Sequence, residues 1–290
     1  MGTNYSQSSL NIRRVAYQGE SGAYSEAAVY EFFGKEASTV PCETFEAVFT
    51  VVQDRTCDYG LIPIENSLAG SIHHNYDLLL RYQLMIVGEH YLRVQHCLIA
   101  NPGVLLTDIR RVISHPQALA QCEGYLRSMK FTPTATYDTA GSVRILQEQK
   151  DPSLAAIASR RAAEVYGMEV LAEGIEDDPA NFTRFLAISP QPVRPAGEAK
   201  TSIVFTLNNM PGALFKALSV FALRDIDLTK IESRPLVGKL WEYLFYIDFA
   251  GSTDDSRVVH ALENLGEYAP MLRILGSYPR STPESSSNDG

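Results

Sequence analysis

Apolar residues along this chain switch between strand and helix periods, and the switching predicts a βα repeat. Arg14-Val15-Ala16-Tyr17-Gln18 reads as a strand running into a glycine-bearing turn at 19–25. That turn opens a helix carrying Ala27, Ala28, Tyr30 and Phe33. Thr44 is placed to cap a second helix with Phe45, Val48, Phe49 and Val52 on one face. Residues 59–64 form an apolar strand that delivers the polar cluster 65–71 at its carboxyl end, where open α/β sheets bind ligands. A helix over about 71–81 follows, and the apolar run 84–100 reads as one or two strands able to cross between lobes. The pattern then restarts. Arg111-Val112-Ile113 is a strand, Ser114-His115-Pro116-Gln117 a helix start with Pro in its first turn, and 137–141 a strand end capping the next helix. Leu154–Ala158 is a third strand and Arg160–Tyr166 a third helix. Two tandem lobes facing a cleft are implied.

Pro190, Pro192, Pro195 and Gly197 mark a linker, after which the period changes. Strands at 201–207, 227–232, 241–249 and 272–275 and helices at 211–223 and 254–265 give the order βαββαβ, a ferredoxin-like unit. Met210 and Phe215 read as its core. The Ser-rich tail, 280–290, reads as disordered. The fold class is therefore α/β, with two lobes followed by an α+β unit. The boundaries are 13–189, with the second lobe at about 94–177, then a linker at 190–199 and the last unit at 200–279.

With 290 residues and a net charge of −9, the chain offers no basic face for nucleic acid. No apolar run reaches the roughly 18 residues of a membrane span. Residues 1–12 show no signal or transit pattern, and a cytoplasmic location is expected. The four cysteines are scattered like buried free thiols, and the six histidines lack metal spacing. No metal and no cofactor is expected. An anionic ligand gains nothing from the global field and has to be held by local donors, including the strand–turn–helix start near Gly19 and Gly22.

Asn181-Phe182-Thr183-Arg184-Phe185 places a hydroxyl beside a guanidinium on a strand, where neighbouring side chains point to opposite faces. For both to reach one ligand, that strand has to start irregularly or lie at a cleft rim.

Taken with the strings Ala16-Tyr17-Gln18-Gly19, Gly22-Ala23-Tyr24-Ser25, Pro63-Ile64-Glu65-Asn66-Ser67, Ser114-His115-Pro116-Gln117, Asp138-Thr139-Ala140 and Glu232-Ser233-Arg234-Pro235, this motif resembles the prephenate and arogenate dehydratases. The resemblance spans about residues 13–279. It implies a catalytic domain of two lobes like the periplasmic binding proteins, followed by an ACT domain that senses phenylalanine. The family reaction expels CO2 and hydroxide from opposite ring carbons and needs a donor at the leaving oxygen. By resemblance Thr183 is that donor, with Glu65 and His115 as candidate proton sources. Arg184 is assigned to a substrate carboxylate through its planar fork. Tyr24, Ser25, Asn66, Ser67, Ser114, Gln117, Thr139 and Phe185 are assigned to the substrate.

The short link from Pro235 to Trp241 looks bacterial and favours prephenate, with arogenate as the alternative. A non-catalytic sensor of amino acids is the rival from another class. L-Phenylalanine is expected to bind at Asn209, Pro211, Gly212, Ala213 and Leu214, with Glu232, Ser233, Arg234 and Pro235 nearby. The last unit is expected to move as a body on its linker, and pairing of such units implies a homodimer or tetramer.

Overall fold

The computed structural model describes residues 13–235 and 243–282. The link at 236–242, including Trp241, and the tail from 283 lie outside the described residues.

The first lobe contains β1 (Arg14–Gln18), α1 (Tyr24–Phe33), β2 (Ser38–Cys42), α2 (Phe45–Gln53), β3 (Tyr59–Asn66), the short β4 (Gly70–Ser71), α3 (His73–Arg81) and β5 (Met85–Arg93). The second contains β6 (Cys97–Ala100), β7 (Arg111–Ser114), α4 (Pro116–Gln121), α5 (Glu123–Ser128), β8 (Thr132–Ala135), α6 (Thr139–Gln149), β9 (Leu154–Ala158), α7 (Arg160–Tyr166) and β10 (Glu169–Glu173). β11 (Phe182–Ser189) then returns to the first sheet, giving the order β2-β1-β3-β11-β5, with β4 on β3. It runs antiparallel to both of its neighbours. The second sheet has the order β10-β6-β9-β7-β8. The run 84–100 is thus two strands in different sheets.

Local chemistry sets the helix starts. Thr44 accepts from the Ala47 N–H, Asp138 from Gly141 and Ser159 from Ala162, each satisfying an amide with no intrahelical partner. His115 does the same for α4, accepting from Gln117 N–H at 3.2 Å through Nδ1.

The C-terminal unit contains β12 (Ala199–Leu207), α8 (Ala213–Ala222), β13 (Leu228–Pro235), β14 (Tyr243–Ala250), α9 (Ser256–Tyr268) and β15 (Met271–Pro279). Its antiparallel sheet has the order β13-β14-β12-β15. One face carries α8 and α9 over Ile203, Phe205, Ile247 and Phe249. The other face is not solvated. Val204, Leu244, Tyr246, Leu275 and Tyr278 join Val48, Phe49, Ile62, Leu79, Leu186 and Ile188 in a single core with the first lobe. The linker therefore leads into a docked sheet, not a free body. Gly276 of β15 comes so close to β5 that a Cβ there would overlap the Ile86 carbonyl. Met210 and Phe215 are exposed, not core: Phe215 lies on the solvent side of α8, and Met210 lies in the turn before it.

Candidate active site

Two segments join the lobes, at 94–96 and 174–181, and they are bonded to each other. Val94 N–H donates to Asn181 O at 2.7 Å, Ile175 N–H to His96 O at 3.3 Å, and His96 N–H to the Glu176 carboxylate at 2.8 Å. Beside them lies a cleft with about 200 Å3 of free volume. It is lined from the first lobe by Tyr24, Ser25, Asn66, Thr183 and Phe185, and from the second by His115, Gln117, Gln121 and Thr139. His96, on the joining segment, completes the polar lining.

Strand alternation decides which residues of β11 face the cleft. Thr183 and Phe185 line it, and Arg184 between them does not. The Arg184 guanidinium lies behind the sheet, 2.9 Å from Glu89, 2.6 Å from Asp248 and 3.2 Å from the Tyr278 hydroxyl. It is buried and already paired, so the assignment to a substrate carboxylate does not fit. Glu65 is the register partner of Arg184 and shares its face. Its carboxylate pairs with Lys230 of the C-terminal unit at 2.9 Å and is absent from the cleft. Ser114 is fully buried and donates to Ile157 O at 2.6 Å. Ser67 braces the strand end, donating to Ala180 O and accepting from Phe182 N–H. Both serve the backbone. Gly22 N–H is taken by the Glu26 carboxylate at 2.8 Å, so the turn before α1 offers no free amide there.

Thr183 is held by one neighbour. Asn66 Oδ1 accepts from Leu68 and Ala69 N–H at 3.1 and 2.9 Å, which fixes the amide orientation. Its Nδ2 then donates to Asn181 Oδ1 at 2.8 Å and to Thr183 Oγ1 at 3.0 Å. Because the Thr183 oxygen accepts from Asn66, its own proton is left for a ligand.

His96 and Gln121 escape sequence reasoning. His96 Nδ1 lies 2.7 Å from the Tyr24 hydroxyl, and Nε2 lies 2.9 Å from Gln121 Oε1. The phenol has one proton and two acceptors in reach, His96 Nδ1 at 2.7 Å and Gln95 O at 3.0 Å; a neutral ring that donates to Gln121 through Nε2 accepts it at the shorter contact. Burial holds the imidazole below its ordinary pKa, against the pull of Gln121 and Glu176. Burial also keeps the Tyr24 phenol protonated, well above its usual range. No Arg, Lys, Asp or Glu lines the cleft among the described residues, so His96 and His115 are its cation-forming side chains. Among the described residues, no cluster of His, Cys, Asp and Glu fits a metal.

In the C-terminal unit, Glu232 accepts from Ser71 at 2.6 Å, and Arg234 reaches Asp77 at 3.1 Å. These side chains reach residues of the first lobe. Ser233, paired with Phe245, lies on the other face of β13.

A family model described as prephenate dehydratase matches residues 15–193, and one described as ACT domain matches 201–267. The chain is 50% identical over 280 residues to arogenate dehydratase/prephenate dehydratase 2, chloroplastic, of Arabidopsis thaliana. That match covers 93% of this chain and 73% of the relative. The structure of prephenate dehydratase from Arthrobacter aurescens in complex with L-Phe is 34% identical, with a TM-score of 0.85. It covers 92% of this chain and 90% of that one. A structure described as GqqA, a novel type of quorum quenching acylase, is 37% identical with a TM-score of 0.87, covering 93% and 98% of the two chains. The expected cytoplasmic location is overturned, since several relatives, including three further Arabidopsis thaliana enzymes, are named as chloroplastic.

Proposed function

This chain belongs to the prephenate dehydratase family, and we propose that it converts prephenate to phenylpyruvate, with residues 13–189 as catalytic domain and 200–279 as ACT domain. The observation that carries the reading is the Thr183 hydroxyl, held in the cleft by Asn66 with its proton free. As the ring carboxylate leaves as CO2, its bonding pair enters the ring and the opposite C–O bond breaks. Thr183 donates to the departing oxygen and stabilises the charge that develops there. His115, whose Nδ1 accepts from the Gln117 amide and whose Nε2 therefore carries the proton of the neutral ring, donates a hydrogen bond in the cleft without giving that proton up, and the departing hydroxide takes its proton from solvent. The two substrate carboxylates are met by neutral donors from Ser25, Gln117, Gln121 and Thr139 and by the Nε2–H of His115.

The keto side chain suits a cleft without a carboxylate, since an ammonium there has no anionic partner among the described lining residues. Arogenate is the second reading, favoured by relatives named arogenate dehydratase. Thr183→Val keeps the shape and deletes the hydroxyl. It is expected to lower kcat about 100-fold or more with little change in KM. Assay of parent and variant on both purified substrates tests the reading. A Val variant within a few-fold of the parent refutes it, and faster parental turnover of arogenate selects the second reading.

L-Phenylalanine is the proposed effector, bound at the turn before α8, where Gly212 has a φ of 78° and offers bare backbone. The exposed Met210, Phe215, Ile231 and Tyr243 support pairing of ACT units into a homo-oligomer.

A further inference from the structure

β3 and β11 lie side by side, and their side chains alternate between two surfaces. Thr183 pairs in register with Asn66, and one position along Arg184 pairs with Glu65. The first pair turns to the cleft. The second turns to the back of the sheet, where the ACT domain is docked. There Arg184 meets Asp248 of β14 at 2.6 Å and Tyr278 of β15 at 3.2 Å. Glu65 meets Lys230 of β13 at 2.9 Å. Both strands that carry the donor pair are thus gripped by the ACT sheet one residue from the site.

The grip at Arg184 is fixed in direction. Its side chain is 6% exposed, and Glu89 bridges it to Lys200 at 2.7 Å. Asp248 accepts from Ser202 at 2.5 Å, and the Ser202 and Tyr278 hydroxyls lie 2.7 Å apart. A buried charge with every partner placed has few alternative positions. The peptide joining residues 183 and 184 is planar and holds their Cα atoms about 3.8 Å apart, so Arg184 cannot shift without carrying Thr183.

We propose that Arg184 and Glu65 are positioning residues for Thr183 and Asn66, and that the ACT domain holds them in place. A displacement of the ACT sheet then reaches the Thr183 hydroxyl from behind. The inference rests on the proposed role of Thr183 in dehydration and of L-phenylalanine as effector.

The test uses full-length protein carrying Asp248→Asn, Asp248→Glu or Lys230→Gln. kcat and KM for prephenate, L-phenylalanine binding by equilibrium dialysis, and thermal melting are measured for each. Asp248→Asn is expected to lower kcat about tenfold with KM within about twofold, and Asp248→Glu to recover part of that loss. Lys230→Gln, nearer the rim, is expected to lower kcat several-fold and melt like the parent. Both charge-removing variants should bind L-phenylalanine as the parent does yet lose most of its effect on kcat. Folded variants with parental kcat and parental response overturn the proposal. If Asp248→Asn fails to fold, Lys230→Gln decides on the same criteria. Thr183→Val measured alongside separates the two levels. Full activity there removes the dehydration role of Thr183, whereas an inactive Thr183→Val beside unaffected ACT variants removes the coupling alone.

Discussion

His96 stands neutral between a phenol and an amide, and burial holds its pKa down. An unfolded histidine titrates near 6.5. Between that value and the lower folded one, the unfolded chain binds a proton that the folded chain does not. The stability linked to this residue is therefore complete above about pH 6.5 and is lost as pH falls through the folded pKa. Melting followed from about pH 7.5 to about pH 5 should fall more steeply for the parent than for His96→Asn. Parallel curves would mean that His96 does not titrate differently in the two states. Nothing near His96 in the sequence announces this role, because its ring partners are 72 and 25 positions away. Arg184 is the opposite case. The period of a strand already sets it against Thr183, and the family motif alone places both at the ligand.

The turn between β1 and α1 shows the same tension among elements. Gly22 has a φ of 89°, and a Cβ there would sit 2.7 Å from the Ala162 Cα of the second lobe. Ser159 Oγ donates to the Gly22 carbonyl at 2.6 Å, so this turn is also a contact between lobes. Gly22→Ala is expected to cost about 1–3 kcal/mol through backbone strain and overlap, read as a lower urea midpoint, and to raise KM. Ala162→Gly should not restore either, because two of the three nearest atoms belong to the Ala162 backbone. Full recovery in the double variant would place the clash in the Ala162 methyl. Most helices are legible because Thr44, Asp138 and Ser159 sit before apolar helical periods. β2 is not, since it is an edge strand holding Pro41 with little buried surface, and β8, an exposed edge strand holding Pro133, ends at Ala135, short of the strand end expected at 137–141.

Across the whole molecule, the two lobes and the βαββαβ unit are visible as changes of period, but their docking is not. A proline-rich linker reads as freedom of movement. The contrary signal lies in β12, where all of Ala199–Leu207 is buried. Val204 and Phe205 are both apolar although they point to opposite faces, the mark of a sheet covered on both sides. The cleft was legible in its motif residues from Tyr24 to Thr183. It was not legible in its lack of charge, since the acid and the guanidinium of the motifs, Glu65 and Arg184, belong to the other face.

β11 also dictates an order of assembly. It is the last strand of the catalytic domain to be synthesised, yet it lies between β3 and β5. The second sheet draws its strands from one continuous stretch, 97–173, and can close without it. The first sheet is left with two open edges until residues 182–189 return across 89 or more positions, and such distant pairings form slowly. In pulsed hydrogen exchange during refolding, amides of β6, β7 and β9 should gain protection before those of β3 and β5. Simultaneous protection would mean that the two lobes fold as one unit. A chain built this way acquires its Thr183–Asn66 pair only when the catalytic domain is complete, so a chain ending before β11 holds every strand of the second lobe and no such pair.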